Sequence, residues 1–508
     1  MSKSKKIYKK NIKNIKNIKN IKNIKNIKNM FSINHNKNRT RSRKGGEVIG
    51  FGGYGCVFKP ALRCKNSDTR INGISKLLEN KDAENEWKEL NRVKTIIKKI
   101  PDNENYFLLN DLQKCTPNKL TDSDKVNIKD CRHPLVNVDV ENINNNLEKL
   151  QIINMPFGGD DLDKVINSGK PELYIINYVL INLLRNAIIP MNDIGLYHCD
   201  LKAANMLYKD KQLKIIDWGL AVVNSSKNSI PEPLKNHKIQ FNTPFSRILF
   251  NSYFDEFLHD YLTKNPEINT NSSTLFQQLQ TLMMGYYENW KRVSSGSGHE
   301  EYINEHILPI FYELNNESYP KNSNILAIII ILYCSKILMK YINFNTKTLD
   351  KQSYFNEVYS KNIDIWGFIS TYIPFTRASS YSIGNKIGIS NIIIKYCYSN
   401  NYADKPINVN NLIVDLIELT NPTIGQQQPT KVNLNIMLQM KQPVQMKQPV
   451  QTKQKLTFIK KTSQTKKKRC PSGQQKNRKT EKCEGKKRKP CKKGTNWNRK
   501  TLKCQGKG

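Results

Sequence analysis

Three polar side chains stand out in this sequence. Asp200 and Asn205 lie in the run His198-Cys199-Asp200-Leu201-Lys202-Ala203-Ala204-Asn205, and Asp217 opens Asp217-Trp218-Gly219. An aspartate can take the proton of an attacking hydroxyl, and an amide and a carboxylate are hard oxygen ligands suited to magnesium. In this order they can organise phosphoryl transfer, with Asp200 as base and Asn205 and Asp217 holding Mg2+ on the phosphates of ATP. Either short run alone is a common coincidence. The order and spacing of both give the reading its weight.

The intervening residues predict how these groups meet. Met206-Leu207-Tyr208 and Leu213-Lys214-Ile215-Ile216 read as short apolar strands, with Lys209-Asp210-Lys211-Gln212 as a polar turn. A hairpin there returns Asp217 to the end where Asn205 stands.

Upstream, Gly50-Phe51-Gly52-Gly53-Tyr54-Gly55-Cys56-Val57 fits G-x-G-x-x-G-x-V and follows the apolar approach Glu47-Val48-Ile49. Glycines at 50, 52, 53 and 55 let backbone amides approach phosphate oxygens, while Ile49 and Val57 supply apolar cover for the base. Tyr54 stands at the loop tip. A second strand, and not a helix, follows the glycines, which disfavours a dinucleotide-binding fold.

Gly73-Ile74-Ser75-Lys76-Leu77-Leu78 then reads as a strand with one lysine among apolar neighbours. Residues 83–93 predict an amphipathic helix with Trp87, Leu90 and Val93 on one face. Glu86 on that helix is the expected partner of Lys76, with Glu84 as its rival. Residues 150–162 read as a strand breaking into a glycine-rich turn that resembles the hinge between kinase lobes, which implies that the Pro156 carbonyl and the Gly158 amide meet the adenine edge, with Met155 beside them in the nucleotide site.

These motifs together resemble those of eukaryotic-type serine/threonine protein kinases, in details those of large DNA viruses. The resemblance covers residues 46 to about 420 and is most specific at 50–57, Lys76, 198–205 and 217–219. Asp364-Ile365-Trp366-Gly367 is a further match, similar to the D-x-W-x-x-G element that opens a buried helix. The resemblance implies an α+β, two-lobed fold with a small antiparallel-sheet lobe and a larger, mostly helical one. It also implies Lys76 on the α- and β-phosphates, Asp364 bound to the catalytic-loop backbone, and Lys202 on the transferring phosphate. Lysine at that place points to serine or threonine substrates.

Three departures accompany the match. Cys199 replaces the usual arginine, so the pocket that reads a phosphorylated activation loop is missing. Phe241-Asn242-Thr243-Pro244-Phe245 stands in place of A-P-E and lacks its glutamate, so the buried ion pair there is replaced or lost. About a hundred residues separate Pro244 from Asp364, which predicts a helical insert, at about 246–360, with its own packing. Small-molecule kinases share the His-x-Asp and Ile-Asp-Trp runs, but the glycine spacing, Lys202 and 364–367 favour a protein substrate. A pseudokinase is the other alternative, disfavoured by the presence of Lys76, Asp200, Asn205 and Asp217.

Composition frames these motifs. Lys+Arg of 82 against Asp+Glu of 43 gives a net charge of +39 over 508 residues, and much of the excess sits at the ends. Such a surface implies polyanionic partners: nonspecific nucleic acid or acidic protein, bound in a salt-sensitive way. Residues 1–43 carry an Asn-Ile-Lys repeat whose period of three gives no steady apolar face on a helix of about 3.6 residues per turn. The expected organisation is this low-complexity segment, a catalytic domain at 44–420, a Gln/Pro/Lys-rich linker at 421–465 and a basic tail at 466–508.

In the tail, Cys470 and Cys483 are spaced as Cys491 and Cys504 are, with glycine, asparagine and threonine in phase. Disulfide loops, a reduced basic tail and a zinc site remain open for these two units. The other seven cysteines are scattered singly and suggest no disulfide framework, with Cys56 read as small-residue packing. The apolar run at 325–334 is too short for a bilayer and reads as a buried helix, so no membrane span is expected. The location expected is intracellular, in a virion or the host cytoplasm.

Overall fold

Strands β1 (Glu47–Phe51), β2 (Gly55–Lys59), β3 (Gly73–Glu79), β4 (Gln113–Cys115) and β5 (Leu150–Pro156) form an antiparallel sheet in the order β1-β2-β3-β5-β4. The computed structural model describes residues 46–51, 55–67, 69–224, 229–271, 273–293, 298–321, 324–420 and 430–438, and four short strands within 474–506. Side chains alternate along each strand, so the sheet has two different faces. Leu78 and Ile153 face the main core, whereas Cys56, Phe58, Leu77 and Ile152 face a second, separate cluster.

Helix α1 (Asn80–Ile97) begins directly after β3. Ala83, Leu90, Val93 and Ile97 form its buried stripe. Trp87, expected on that stripe, is only half-buried and lies beneath the Lys114 ammonium.

The second cluster is built by a strap with little regular structure, residues 116–149, that crosses the outer face of the sheet. Leu120, Ile128, Cys131, Leu135, Val138, Val140 and Ile143 bury themselves there. The strap also grips the start of β1. Gly46 N donates to Asp124 at 2.6 Å, and Val48 N to Val126 O at 3.3 Å. Asp124 in turn holds Arg70 at 2.8 Å, and its hydrogen bonds keep its carboxyl below the usual range against the opposing effect of burial.

Two disulfides, one of them from the strap, correct the expectation of unpaired thiols. Cys56–Cys131 and Cys64–Cys115 each join residues with Cα atoms 5.7 Å apart. The partners of the first pair are 75 residues apart in sequence, so no local spacing reveals them. Cys199, Cys334 and Cys397 are free and buried.

The remainder is mostly helical around one large core. It includes α2 (Leu173–Leu183), α3 (Ser252–Lys264), α4 (Leu275–Val293), α5 (Ile325–Tyr341), α6 (Ser360–Ser370), α7 (Ile383–Tyr396) and α8 (Val409–Leu419). The expected insert does form helices at α4 and α5, but it has no core of its own. Leu279, Leu282, Tyr286 and Tyr333 belong to the same cluster as Trp366, and Tyr333 meets Trp366 edge-on at 5.7 Å. α5 is buried along most of its length, in line with the apolar run at 325–334. Among the described residues one stretch, Leu173–Asp193, has the length and hydropathy of a membrane span, and 56% of its most apolar 18 residues are buried inside the protein, as in core helices.

Residues 430–438, expected in the flexible linker, dock on this core. Val432 and Met437 are buried, and Val432 exchanges two hydrogen bonds with the Asn315 amide at 3.0 and 2.7 Å. Apolar residues within a polar stretch thus extend the folded region past 420. The N-terminal 1–43 and the rest of 421–465 lie outside the described residues.

The chain divides into two units, Met1–Lys441 and Gln442–Gly508. The second unit contains two hairpins, Gln474–Lys476 with Cys483–Gly485 and Thr495–Asn498 with Lys503–Gly506. The pair Gln474↔Gly485 recurs as Thr495↔Gly506, so the sequence repeat is also a repeat of strand register. Cys470 and Cys491 lie outside the described residues, as does the choice among the three cysteine chemistries.

Candidate active site

Lys76 sits at the centre of β3, opposite Val57 on β2 and Ile153 on β5. These three share the face turned toward α1, so Lys76 projects beneath the helix that carries Glu86. Its ammonium meets both Glu86 oxygens, at 2.8 and 2.6 Å. The rival Glu84 pairs with Lys114 on β4 instead. Helix rotation settles the choice: Glu86 faces β3, and Glu84 faces the sheet edge.

The β1–β2 turn holds the glycine run. Ile49 is 43% exposed at a register shift between Val48 and Gly50. Gly55 lies so close to β3 that a Cβ would stand 2.6 Å from Leu77 O. Gly52, Gly53 and Tyr54 lie outside the described residues. Val57 and Met155 are half-buried.

After β5 the chain turns into the helical region at Gly158 and Gly159. A Cβ on Gly158 would lie 2.6 Å from the Leu207 side chain, and Gly159 adopts φ +118° against the backbone of Tyr208. Only glycine lets this crossing lie flat on the strand pair β6 (Asp160–Asp161) and β8 (Met206–Lys209).

The next strands, β7 (Leu196–Tyr197), β8 and β9 (Gln212–Ile215), frame the aspartates. β8 and β9 form the expected hairpin, and Ile216 N donates to Asn205 O at 3.0 Å, so Asn205 and Asp217 flank its open end. Asp217 is exposed at φ +65°, and its carboxylate has no hydrogen bond or ion pair among the described residues. Left-handed backbone at a non-glycine residue costs energy, and such strain is concentrated at functional sites.

The loop before the hairpin is held from below. The buried Asp364 carboxylate accepts from His198 N at 2.8 Å and Cys199 N at 2.9 Å, which fixes Cys199 at φ +63°. Burial pushes the Asp364 carboxyl up, while His198 and the two N–H groups pull it down. The His198 ring accepts from Asp200 N at Nδ1 (3.3 Å), meets Ile216 O at Nε2 (2.9 Å) and packs on Trp218 with centroids 4.8 Å apart. One imidazole therefore ties the Asp200 loop to the chain entering Asp217. The Cys199 thiol is buried, which keeps it protonated.

Asp200 is surrounded by donors. Lys202 Nζ and Asn205 Nδ2 reach its Oδ2 at 2.8 and 2.9 Å, and Asn242 Nδ2 reaches Oδ1 at 2.8 Å. Asn205 Nδ2 also donates to Asp200 O at 2.9 Å. With its amide nitrogen committed, Asn205 keeps its oxygen for another partner. That oxygen and the unpaired Asp217 carboxylate fit a divalent cation whose other ligands come from phosphate and water. Among the described residues no group of three or more His, Cys, Asp or Glu could hold a metal by itself.

Asn242 is the residue that the sequence did not single out; its stretch was notable only for a missing glutamate. Hydrogen bonds hold this segment in place. Arg247, 2% exposed, donates to Gln240 and, at 3.4 Å, to Thr243; Trp366 Nε1 donates to Phe241 O at 3.0 Å. His299, from the inserted region, packs on Phe241 at 5.4 Å, and its Nδ1 is buried without a partner. Burial, then the Lys202 charge, holds the His299 imidazole below its usual range, with Asp200 acting the other way.

α1 also reaches across to the chain beyond Asp217. Arg92 Nη2 donates to Ala221 O at 3.1 Å. Comparison with known proteins finds no matching protein-family profile and no matching curated protein.

Proposed function

We propose that this chain is a protein kinase that moves the γ-phosphate of ATP to serine or threonine hydroxyls. The observation that carries the reading is the Asp200 environment. One carboxylate is held by a lysine and two amides, and an unpaired aspartate stands across the hairpin end from Asn205. Asp200 takes the proton of the acceptor hydroxyl as that oxygen attacks. Lys202, bonded to Asp200, offsets negative charge where the transferring group develops it. Lys76, held by Glu86, offers a fixed cation to the nucleotide phosphates. Asn205 and Asp217 would hold magnesium, which neutralises phosphate charge when bound. Ile49, Val57 and Met155 provide apolar contacts for the adenine, next to the glycine run at 50–55. The antiparallel sheet and the helical remainder correspond to the small and large lobes of such an enzyme.

Magnesium-dependent label transfer from γ-labelled ATP to a mixed panel of basic and acidic proteins tests this, with phosphoamino-acid analysis. Transfer to serine or threonine that disappears in Asp200→Asn with the fold intact is expected. Transfer that survives Asp200→Asn, or no transfer to any protein, overturns it.

A second activity rests on the tail, whose repeated hairpin register lies in lysine-rich sequence. It binds polyanions such as nucleic acid through phosphate contacts without reading bases. Retention on DNA that weakens steeply with salt, survives Asp200→Asn and vanishes on deletion of 466–508 is expected. Retention unchanged by that deletion overturns it.

A further inference from the structure

We infer that Asn242 is a positioning residue for the Asp200 carboxylate, leaving one lone pair on Oδ1 as the place where the acceptor hydroxyl delivers its proton. The inference rests on the reading of Asp200 as the base.

An ionised carboxylate has about four acceptor sites, two on each oxygen. Both sites of Oδ2 are taken, by Lys202 Nζ at 2.8 Å and Asn205 Nδ2 at 2.9 Å. Oδ1 accepts only from Asn242 Nδ2 among the described residues, at 2.8 Å. The free site is therefore on Oδ1, beside the segment that carries Asn242.

The orientation of the Asn242 amide follows from its neighbours. The same nitrogen donates to Leu201 O at 3.2 Å, so two acceptors select the donor end. Asn242 is 1% exposed, and its own Oδ1 is buried with no partner. A buried acceptor without a donor is costly, and the fold keeps this one while satisfying Asp200.

The backbone around Asn242 is fixed as firmly. Phe241 O accepts from Trp366 Nε1 at 3.0 Å and Ser370 Oγ at 3.3 Å, and a Cβ on Gly367 would stand 3.3 Å from Asn242 O. Helix α6, which carries Asp364, thus sets the Asp200 loop from one side and Asn242 from the other. The base is aligned by packing, in a chain where Cys199 stands in place of a phosphate-reading arginine.

In the transfer step the acceptor O–H bond breaks and its proton goes to Oδ1. The hydroxyl oxygen forms the new bond to the γ-phosphorus as the bond to the bridging oxygen breaks, and that electron pair leaves on ADP. The charged or titratable groups around Asp200 are Lys202 and His198 on its own loop, His299 from the inserted region, and Arg247 and Asp364 beyond Cys199. None of them supplies a donor to Oδ1.

The test uses the full chain with Asn242→Ala, Asn242→Asp and Asn242→Gln. One readout is the orientation of the Asp200 carboxylate in crystal structures of these variants; the other is the split between kcat and KM. Asn242→Ala is expected to leave the Asp200 carboxylate in more than one orientation, and Asn242→Asp, a like charge, to turn it away, while Asn242→Gln restores part of the difference. kcat in Asn242→Ala falls about 10–100-fold while KM for ATP stays within about twofold. An Asp200 carboxylate oriented identically in all four proteins overturns the proposal, as does a fall in kcat that Asn242→Gln does not partly restore. Absence of phosphate transfer in the unsubstituted chain would count against the kinase reading, and the Asp200 orientation then decides on Asn242 by itself.

Discussion

Glu86 grips the Lys76 ammonium with both carboxylate oxygens, at 2.8 and 2.6 Å, from a helix that starts where the lysine's own strand ends. The pair is about a quarter exposed, so its contribution to global stability is at most about 1 kcal/mol. Its expected role is to orient the lysine. Glu86→Gln should lower kcat/KM for ATP about 10–100-fold, and Lys76→Met more, with little change in melting temperature. Glu84→Gln, which loses only the contact to Lys114, should stay within about twofold of the unsubstituted chain. Steady-state kinetics separate the two glutamates, and a larger loss at Glu84 would reverse their assigned roles.

Asp364 concerns the fold as much as the site. Its replacement by alanine leaves the N–H groups of His198 and Cys199 without their acceptor in a buried place. Asp364→Ala should cost about 2–4 kcal/mol in denaturant unfolding and abolish transfer. Asp364→Asn retains one acceptor oxygen and should lose less. Equal stability of all three proteins would contradict the bracing role.

A pH effect is expected at His299. Its imidazole is held below its ordinary value of 6.5, first by burial and then by Lys202 and Arg247. In the unfolded chain it takes up a proton near that ordinary value, and in the folded chain only at lower pH. Below pH 6.5 the unfolded state therefore binds more protons, and stability falls as pH decreases. His299→Gln should flatten part of this fall, measured by thermal unfolding between about pH 7 and 5. His237, also held low by burial, accounts for a remaining part of the same sign. A pH dependence unchanged by His299→Gln would remove His299 from this account.

The strap gives a redox prediction. Cys56 lies one residue beyond Gly55, and its partner Cys131 is in the segment that also anchors Gly46 through Asp124. Both ends of the glycine hairpin are thus tied to one strap. Breaking Cys56–Cys131 with a thiol reductant, or by Cys56→Ser with Cys131→Ser, should lower stability by about 2–4 kcal/mol and raise KM for ATP. The check is unfolding and nucleotide titration with and without reductant. Identical values in both conditions would show that the strap holds without its covalent tie.

Several site elements were legible because their determinants are local. The hairpin between Asn205 and Asp217 was readable from two apolar runs around a polar turn, and α5 from the apolar run at 325–334. Glu86 could be narrowed to a pair with Glu84 but no further by spacing, since which helical residue faces Lys76 depends on how α1 rotates on the sheet.

Other features left no local trace. Residues 116–149 bury apolar side chains at irregular intervals, because they follow the contour of the sheet and not a helix or strand period. Cys131 of that strap looked solitary because its partner, Cys56, lies 75 residues away in sequence. The inserted region was expected to pack on itself, yet Tyr333 and Tyr286 enter the core around Trp366. Asn242 drew notice only through a glutamate that is not there.

The amino-acid order alone established the local chemistry: which residue types stand at 76, 200, 205 and 217, and that a tight turn returns the last two to one place. Folding at long range settled which glutamate meets Lys76, which amide holds the free side of Asp200, and which thiols join. The reason is physical. Turn formation and side-chain periodicity act over a few residues, whereas hydrogen-bond partners, burial and sulfur pairing arise only when distant segments are brought against one another.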